Sequence, residues 1–219
     1  MNVRRWYLYN SVIKGVLSVD ATRERLLASA RSEFLEHGYR GASLRRIAAG
    51  AGVTTGAIYG CFGGKSELFD ALVGEAYGEF MGNFIAAQEA FSSLPPERQP
   101  DFVGVCSRDY IEWAVEYMLD HRDEFRLILQ CSDGTRYAGL IDEMAAIETR
   151  ATDDFLAVLD GMSHKRGNVS PMLEHIMVSA MFSGFMEIVL HDMTLPEARE
   201  YARQLREFFT AGWLKIMEL

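Results

Sequence analysis

At 219 residues and 24.7 kDa the chain can bury a sizeable core in one large domain or two small ones, which excludes fibrous and miniprotein classes. Its 49% hydrophobic and 24% charged residues are an ordinary globular balance, which excludes disorder and low complexity. The net charge of −9 argues against nucleic acid until it is divided along the chain: residues 1–65 carry ten Lys/Arg against four acids, a balance of +6, and the remainder stands at −15. A basic first quarter on an acidic body has the pattern of a localised polyanion-binding module, because only the contacting face needs positive potential.

The first residues, Arg4-Arg5-Trp6-Tyr7-Leu8, have the outline of a twin-arginine export signal. Lys14 interrupts the apolar stretch, Asp20 ends it and no small-x-small site follows, so export is not expected. Arg4, Arg5 and Lys14 then form either a basic arm or a frayed tail. From Asp20 as N-cap, a first helix carries Leu26, Leu27, Ala30 and Phe34 on one side and stops at His37-Gly38. Ser43 caps a short second helix with Leu44, Ile47, Ala48 and Ala51, broken at Gly52. Thr54 caps a third, through Ile58 and Tyr59 to Phe62, ended by Gly63-Gly64. The longest uncharged run, 47–64, contains six glycines and lacks the sustained apolarity of a membrane span.

A long helix from Lys65 to about Phe91 follows, with Leu68, Leu72, Ala76, Phe80 and Phe84 in one row. SSLPPERQP, residues 92–100, is a loop, after which Asp101 caps a helix holding Tyr110, Trp113 and Tyr117. Further helices fit 122–131 and 135–162. Ser170-Pro171 opens an apolar helix to about His191, and Thr194-Leu195-Pro196-Glu197 is a capping box for a last helix reaching Met217. No stretch alternates as a strand does, so the fold class is all-α, with a small first domain at 1–66 and a larger helical one at 67–219.

The chemistry concentrates in Ser43 to Tyr59. Two short capped helices flank a tight glycine turn, Ala48 and Ala51 allow close approach, Gly52 supplies a positive φ, and Val53 and Ile58 anchor the second helix on the first. This is helix-turn-helix grammar. Thr54, Thr55 and Gly56 then stand at a helix N-terminus whose free N–H groups favour phosphate.

The stretch from Thr22 to Leu72 resembles the DNA-binding domain of the TetR/AcrR transcriptional regulators. Thr22-Arg23, Leu27, Ala30, Phe34, Gly38-Tyr39, Ser43, Ile47-Ala48, Ala51-Gly52-Val53, Gly56, Ile58-Tyr59, Phe62, Lys65 and Leu68 fall at that family's spacing. The resemblance implies that the helix from Thr54 enters the major groove, that Tyr59 and Lys65 contact phosphates, and that the second helix braces the backbone. The DNA-binding residues expected on this basis are Ser43, Arg45, Arg46, Thr54, Thr55, Gly56, Ala57, Tyr59 and Lys65. Ala42, Gly50 and Gly60-Cys61 depart from the family pattern and leave a small base-reading surface, so Arg45 and Arg46 would supply affinity through phosphates.

Behind the reader lies an aromatic and methionine-rich body. The family's middle helices enclose a pocket for a small, often apolar molecule, which nominates Phe102, Cys106, Tyr110, Trp113, Tyr117, Phe125, Phe182 and Met186 as ligand contacts. The helix after Pro171 alternates small and bulky residues on too many sides for one helix to bury. A homodimer interface at Ala180, Ser183, Gly184 and Phe208, built from the last two helices, is therefore expected.

Other chemistries fit less well. Gly60 to Ser66 (GCFGGKS) resembles a phosphate-binding loop but encloses three residues between its glycines where four are needed. The three cysteines, Cys61, Cys106 and Cys131, are scattered, and the five histidines show no ligand spacing, so neither a metal nor a cofactor is expected. The expected function is a cytoplasmic, ligand-responsive DNA-binding regulator, most simply a repressor released from a palindromic operator by a small apolar effector. The alternatives are a nucleotide-binding enzyme or a ligand-binding protein whose DNA function has decayed.

Overall fold

In the computed structural model, residues 3–99, 106–161 and 170–217 are described, and all regular structure among them is helical. The helices are α1 (Val3–Gly41), α2 (Leu44–Gly50), α3 (Thr55–Phe62), α4 (Lys65–Ser92), α5 (Cys106–Asp120), α6 (Arg122–Cys131), α7 (Leu140–Gly161), α8 (Pro171–Leu190) and α9 (Leu195–Met217), with a 3₁₀ turn at Pro96–Arg98. Two compact units divide the chain. The first is Met1–Glu75 with Gln130–Ala138, the second Ala76–Leu129 with Gly139–Leu219. Their division falls inside α4, and the connection between α6 and α7 belongs with the first unit.

Two element boundaries depart from the sequence reading. The first helix starts at Val3, so Asp20 is an interior position; nothing between 3 and 20 breaks a helix strongly enough to require a cap there. The helix still kinks where glycine was expected to stop it, at Gly38 (φ 66°). The helix expected from Thr135 starts at Leu140, because 132–139 is spent on turns: Thr135 N–H and Oγ1 both donate to Ser132 O, and Gly134 takes φ 89°. Asp101 lies outside the described residues. Of the expected capping box the Glu197 half is present, the Thr194 N–H and Oγ1 donating to Glu197 Oε2 at 2.8 and 2.6 Å, and at the start of α8 Ser170 Oγ accepts from Leu173 N–H at 3.2 Å.

The core of the first unit is an aromatic knot. Phe34, Tyr39 and Phe69 meet with centroids 5.0–6.0 Å apart, and Tyr137 from the α6–α7 connection joins Phe69 at 5.9 Å. Around it the connection is pinned by ion pairs, Arg40 to Asp133 at 3.2 Å and Arg136 to Asp70, while the Tyr137 hydroxyl donates to Asp70. In the second unit a ladder of rings, Phe80, Trp113, Tyr117 and Phe125, joins α4, α5 and α6. Helix α8 is long and apolar enough, by length and composition, to cross a membrane, with a mean hydropathy of 1.4. Its Val178, Phe182, Phe185, Met186, Ile188 and Val189 are core residues of this unit.

Candidate nucleic-acid interface and ligand cavity

The helix-turn-helix forms by short-range chemistry. Ala51 closes α2, Gly52 takes φ 66°, and the Val53 N–H returns to Ala48 O at 2.9 Å, so the chain reverses within three residues. Gly50 has a tertiary reason. A Cβ there would lie 2.4 Å from Ser29 Oγ, which donates to Ile47 O at 2.8 Å, so a side chain at this α1–α2 contact would displace the Ser29 hydroxyl from its hydrogen bond. Ser43 and Thr54 occupy the N-cap positions of α2 and α3, as expected, but neither hydroxyl makes a cap hydrogen bond.

Helix α3 buries Ile58 and Phe62 and turns Thr54, Gly56, Tyr59 and Gly60 outward, with Thr55 and Ala57 half-buried at the edge. Tyr59 is 60% exposed, unusual for an aromatic ring in a small core-forming helix. The outward face is small and uncharged, suited to thymine methyls and phosphate but poor in bidentate donors. Gly60 to Phe62 are the last turn of α3, so the GCFGGKS segment is a helix end and a helix start rather than an open phosphate-cradling loop.

The basic residues divide by role. Arg45 is exposed on α2. Arg46 braces the fold instead: its guanidinium straddles the buried carboxylate of Glu33, with Nε at 2.8 and 3.0 Å from the two oxygens, and Nη2 donates to Gly41 O. Glu33 also accepts the Ser43 N–H at 2.7 Å, so one acid holds both the N-cap backbone and the Arg46 side chain of α2. The Arg46 hydrogen bond holds the Glu33 carboxyl below its ordinary range, against the opposing effect of burial. Lys65 Nζ donates to Arg40 O at 3.2 Å and sits 4.9 Å from the Tyr39 ring centre, and its partial burial lowers its proton affinity. It ties α4 to the end of α1 while its remaining donors stay available.

In the second unit a cavity of about 240 Å³ opens among α4, α5, α7, α8 and α9. Of the residues expected to line it, Tyr110 and Phe182 do so. Trp113, Tyr117, Phe125 and Met186 are packed away from it, the first three in the ring ladder, because their helix faces point at α4 and α6 rather than at the void. Phe102 lies outside the described residues, and Cys106 is placed only as the first residue of α5. The walls the sequence reading missed are Phe84, Phe91, Phe155, Phe209 and Trp213. A half-buried polar pair, Gln88 and Glu148, was missed too; the signal for it was a single acid in the apolar run Ala145-Ala146-Ile147-Glu148. Gln88 donates to Glu148, and burial pushes the Glu148 carboxyl up.

On the outer surface Ala180 and Ser183 of α8 are exposed in line with Met172 and Ile176, and Phe208 of α9 is 73% exposed. Gly184 is engaged within its own chain: Tyr201 donates to its carbonyl at 2.8 Å, and a Cβ would meet Leu205 at 3.4 Å. Its small size serves the α8–α9 crossing.

Residues 26–72, from the core of α1 into α4, match the family model described as "Bacterial regulatory proteins, tetR family". The repressor BepR of Brucella suis biovar 1 is 28% identical over 177 residues, covering 78% of this chain and 81% of BepR. Residues 26–72 belong to the TetR family of bacterial regulatory proteins. Other TetR-family similarity is local or purely structural. The repressor AcnR of Corynebacterium efficiens is 46% identical over 54 residues, 25% of this chain and 29% of AcnR, so the chain matches under a third of that relative's length. The solved structure of SCO3833, a TetR-family member from Streptomyces coelicolor A3, shares the fold with a TM-score of 0.56 at 19% identity, covering 84% of this chain and 88% of the other. The segment that the family model matches contains the helix-turn-helix, the part whose spacing is set locally.

Proposed function

We infer that this TetR-family chain is a cytoplasmic, ligand-responsive transcriptional repressor that binds a palindromic operator as a homodimer. The observation that carries this reading is α3: a short helix held by Ile58 and Phe62 with its N-terminus and Tyr59 presented outward, on a unit whose sequence is basic while the rest of the chain is acidic. Thr54, Thr55, Gly56 and Ala57 are assigned to base edges and the nearest phosphate, and Arg45, Tyr59 and the remaining donors of Lys65 to flanking phosphates. Ser43 supplies a free hydroxyl at the start of α2, and Arg46 positions α2 through Glu33. Two copies must present α3 one helical turn apart, about 34–36 Å, to read adjacent half-sites.

The dimer is assigned to the stripe Met172, Ile176, Ala180 and Ser183 on α8 with Phe208 on α9, apolar surface that a lone protomer leaves in water. The cavity of the second unit is assigned to a small effector that binds the DNA-incompetent state more tightly, and linkage then requires operator and effector to weaken one another by the same factor.

The test is fluorescence anisotropy of the purified protein on the DNA flanking its own gene and on random duplex. Thr55→Ala should weaken the flanking DNA more than random DNA, and Lys65→Ala should weaken both alike with a shallower salt dependence. Equal affinity of the wild type for both DNAs at physiological salt would overturn the reading.

A further inference from the structure

The cavity assigned above to an effector has one chemical feature that its apolar walls do not explain. Phe84, Phe91, Phe155, Phe182, Phe209 and Trp213 supply its surface, and Glu148 of α7 is the carboxyl among its lining residues. Protein encloses Glu148, yet part of its surface stays accessible, so that surface belongs to the cavity wall. Its hydrogen-bond partner is the Gln88 amide of α4. A carboxylate offers about four acceptor positions, and one neutral donor leaves most of them unmet.

Beside it the Tyr110 hydroxyl of α5 is buried without a hydrogen-bond partner among the described residues and close enough for the Glu148 charge to act on it. The other charged lining group, Arg206 of α9, is not among the groups that act on Glu148, and it also borders a separate cleft of about 580 Å³ lined by Arg108, Glu112 and Glu116. That cleft holds paired charges, Arg199 with Glu116 and Arg203 with Glu200, and is a solvated groove. Glu148 is thus a half-buried acceptor whose hydrogen-bond partner among the described residues is neutral, facing a void walled by aromatic rings.

We propose that the cavity selects a hydrophobic amine, whose apolar body fills the aromatic chamber and whose cationic nitrogen is received by the Glu148 carboxylate. This rests on the reading of the cavity as an effector site. Ring faces attract a desolvated cation, and an ammonium supplies the donors that Gln88 alone does not. In the empty cavity burial favours the protonated acid. An ammonium beside it acts the other way and favours the carboxylate, so binding lowers the Glu148 proton affinity, the ammonium keeps its own protons, and the pair formed is neutral overall. Of the groups lining the cavity with Glu148, Gln88 does not titrate, Arg206 stays cationic and Tyr110 stays protonated, so a proton released on binding comes from Glu148 itself. An anionic ligand meets the opposite situation, with an acid at the polar end of the chamber.

The experiment titrates the full-length protein with decylamine, decanol and decanoate by calorimetry, in phosphate and in Tris at the same pH. Decylamine should bind roughly tenfold or more tighter than decanol, the range of a charge-assisted hydrogen bond, and decanoate more weakly than either. The enthalpy for decylamine should differ between the buffers by the release of up to one proton, and that for decanol should not. Glu148→Gln should bring decylamine down to the decanol affinity and leave decanol unchanged; the wild-type comparison decides the matter even if this variant does not fold. Decanol equal to decylamine, or decanoate the tightest, overturns the amine assignment while the cavity reading stands. No binding by any of the three overturns both.

Discussion

The two units treat buried polar groups differently. In the first, Glu33 is as buried as the apolar core around it, and its oxygens receive the Ser43 N–H and the Arg46 guanidinium. In the second, Tyr110 Oη, Thr149 Oγ1, Glu174 Oε1 and Ser179 Oγ are buried with no partner among the described residues, and a cavity lies among the same helices. Buried polar atoms are normally paired, because an unmet group forfeits its hydration for nothing. Among the described residues the smaller unit leaves no buried side-chain polar atom unpaired, whereas the larger one has positions left open, both in its cavity and on the outer stripe of α8 and α9.

The largest expected effect breaks the open surface. Phe208→Glu should weaken self-association by about two orders of magnitude, since a two-fold interface places the charge in it twice, and sedimentation at micromolar concentration should then find a monomer. Unchanged sedimentation would take Phe208 out of the interface.

Next in size is the closed unit. Glu33→Ala leaves the Ser43 N–H unmet and frees α2 from α1, and should cost roughly 2 kcal/mol in urea denaturation; the figure is kept low because the Arg46 end is half-exposed and screened. The pH dependence has a definite sign. Because the folded carboxyl titrates below its ordinary 4.5, its contribution is complete at neutral pH and is lost as pH falls through the lowered folded value. Glu33→Ala should therefore flatten part of the acid limb of a stability–pH curve, and a limb unchanged in shape would show that Glu33 is not the group responsible.

The smallest effects sharpen the comparison within the larger unit. Tyr201→Phe removes a made hydrogen bond, to Gly184 O, and should destabilise by about 1 kcal/mol. Tyr110→Phe removes a hydroxyl that bonds nothing and should leave thermal stability unchanged or raise it by up to about 1 kcal/mol. Equal losses from the two substitutions would mean that the Tyr110 hydroxyl has a partner in solution.

Legibility followed the range of the interactions. Ser43, Gly52, Thr54 and Gly63 mark helix ends through bonds spanning three to five residues, so α2 and α3 could be bounded from sequence. Glu33 could not be found this way. It sits beside Phe34 and in sequence is one more acid on a charged helix, and its role depends on partners ten and thirteen residues away. Gly50, counted as a departure from the family pattern, proved to be the point where α1 touches α2. For the cavity, periodicity identified the apolar faces of α5 and α8 but not which side of each face meets a void. Trp113 and Tyr110 are three residues apart on one helix, yet Trp113 lies in the ring ladder and Tyr110 on the wall.

The sequence by itself determined the helical class, the helix-turn-helix and its spacing, and the charge division between the reader and the body, because these depend on propensity, capping and composition, which act over one or two turns. Tertiary structure alone decided that Arg46 pairs with Glu33, that Gln130–Ala138 folds with the first unit, and that Glu148 faces an aromatic cavity. Each of these joins residues from helices far apart in the chain. Only packing decides which faces meet, since an amphipathic helix specifies that a face is buried and not against what.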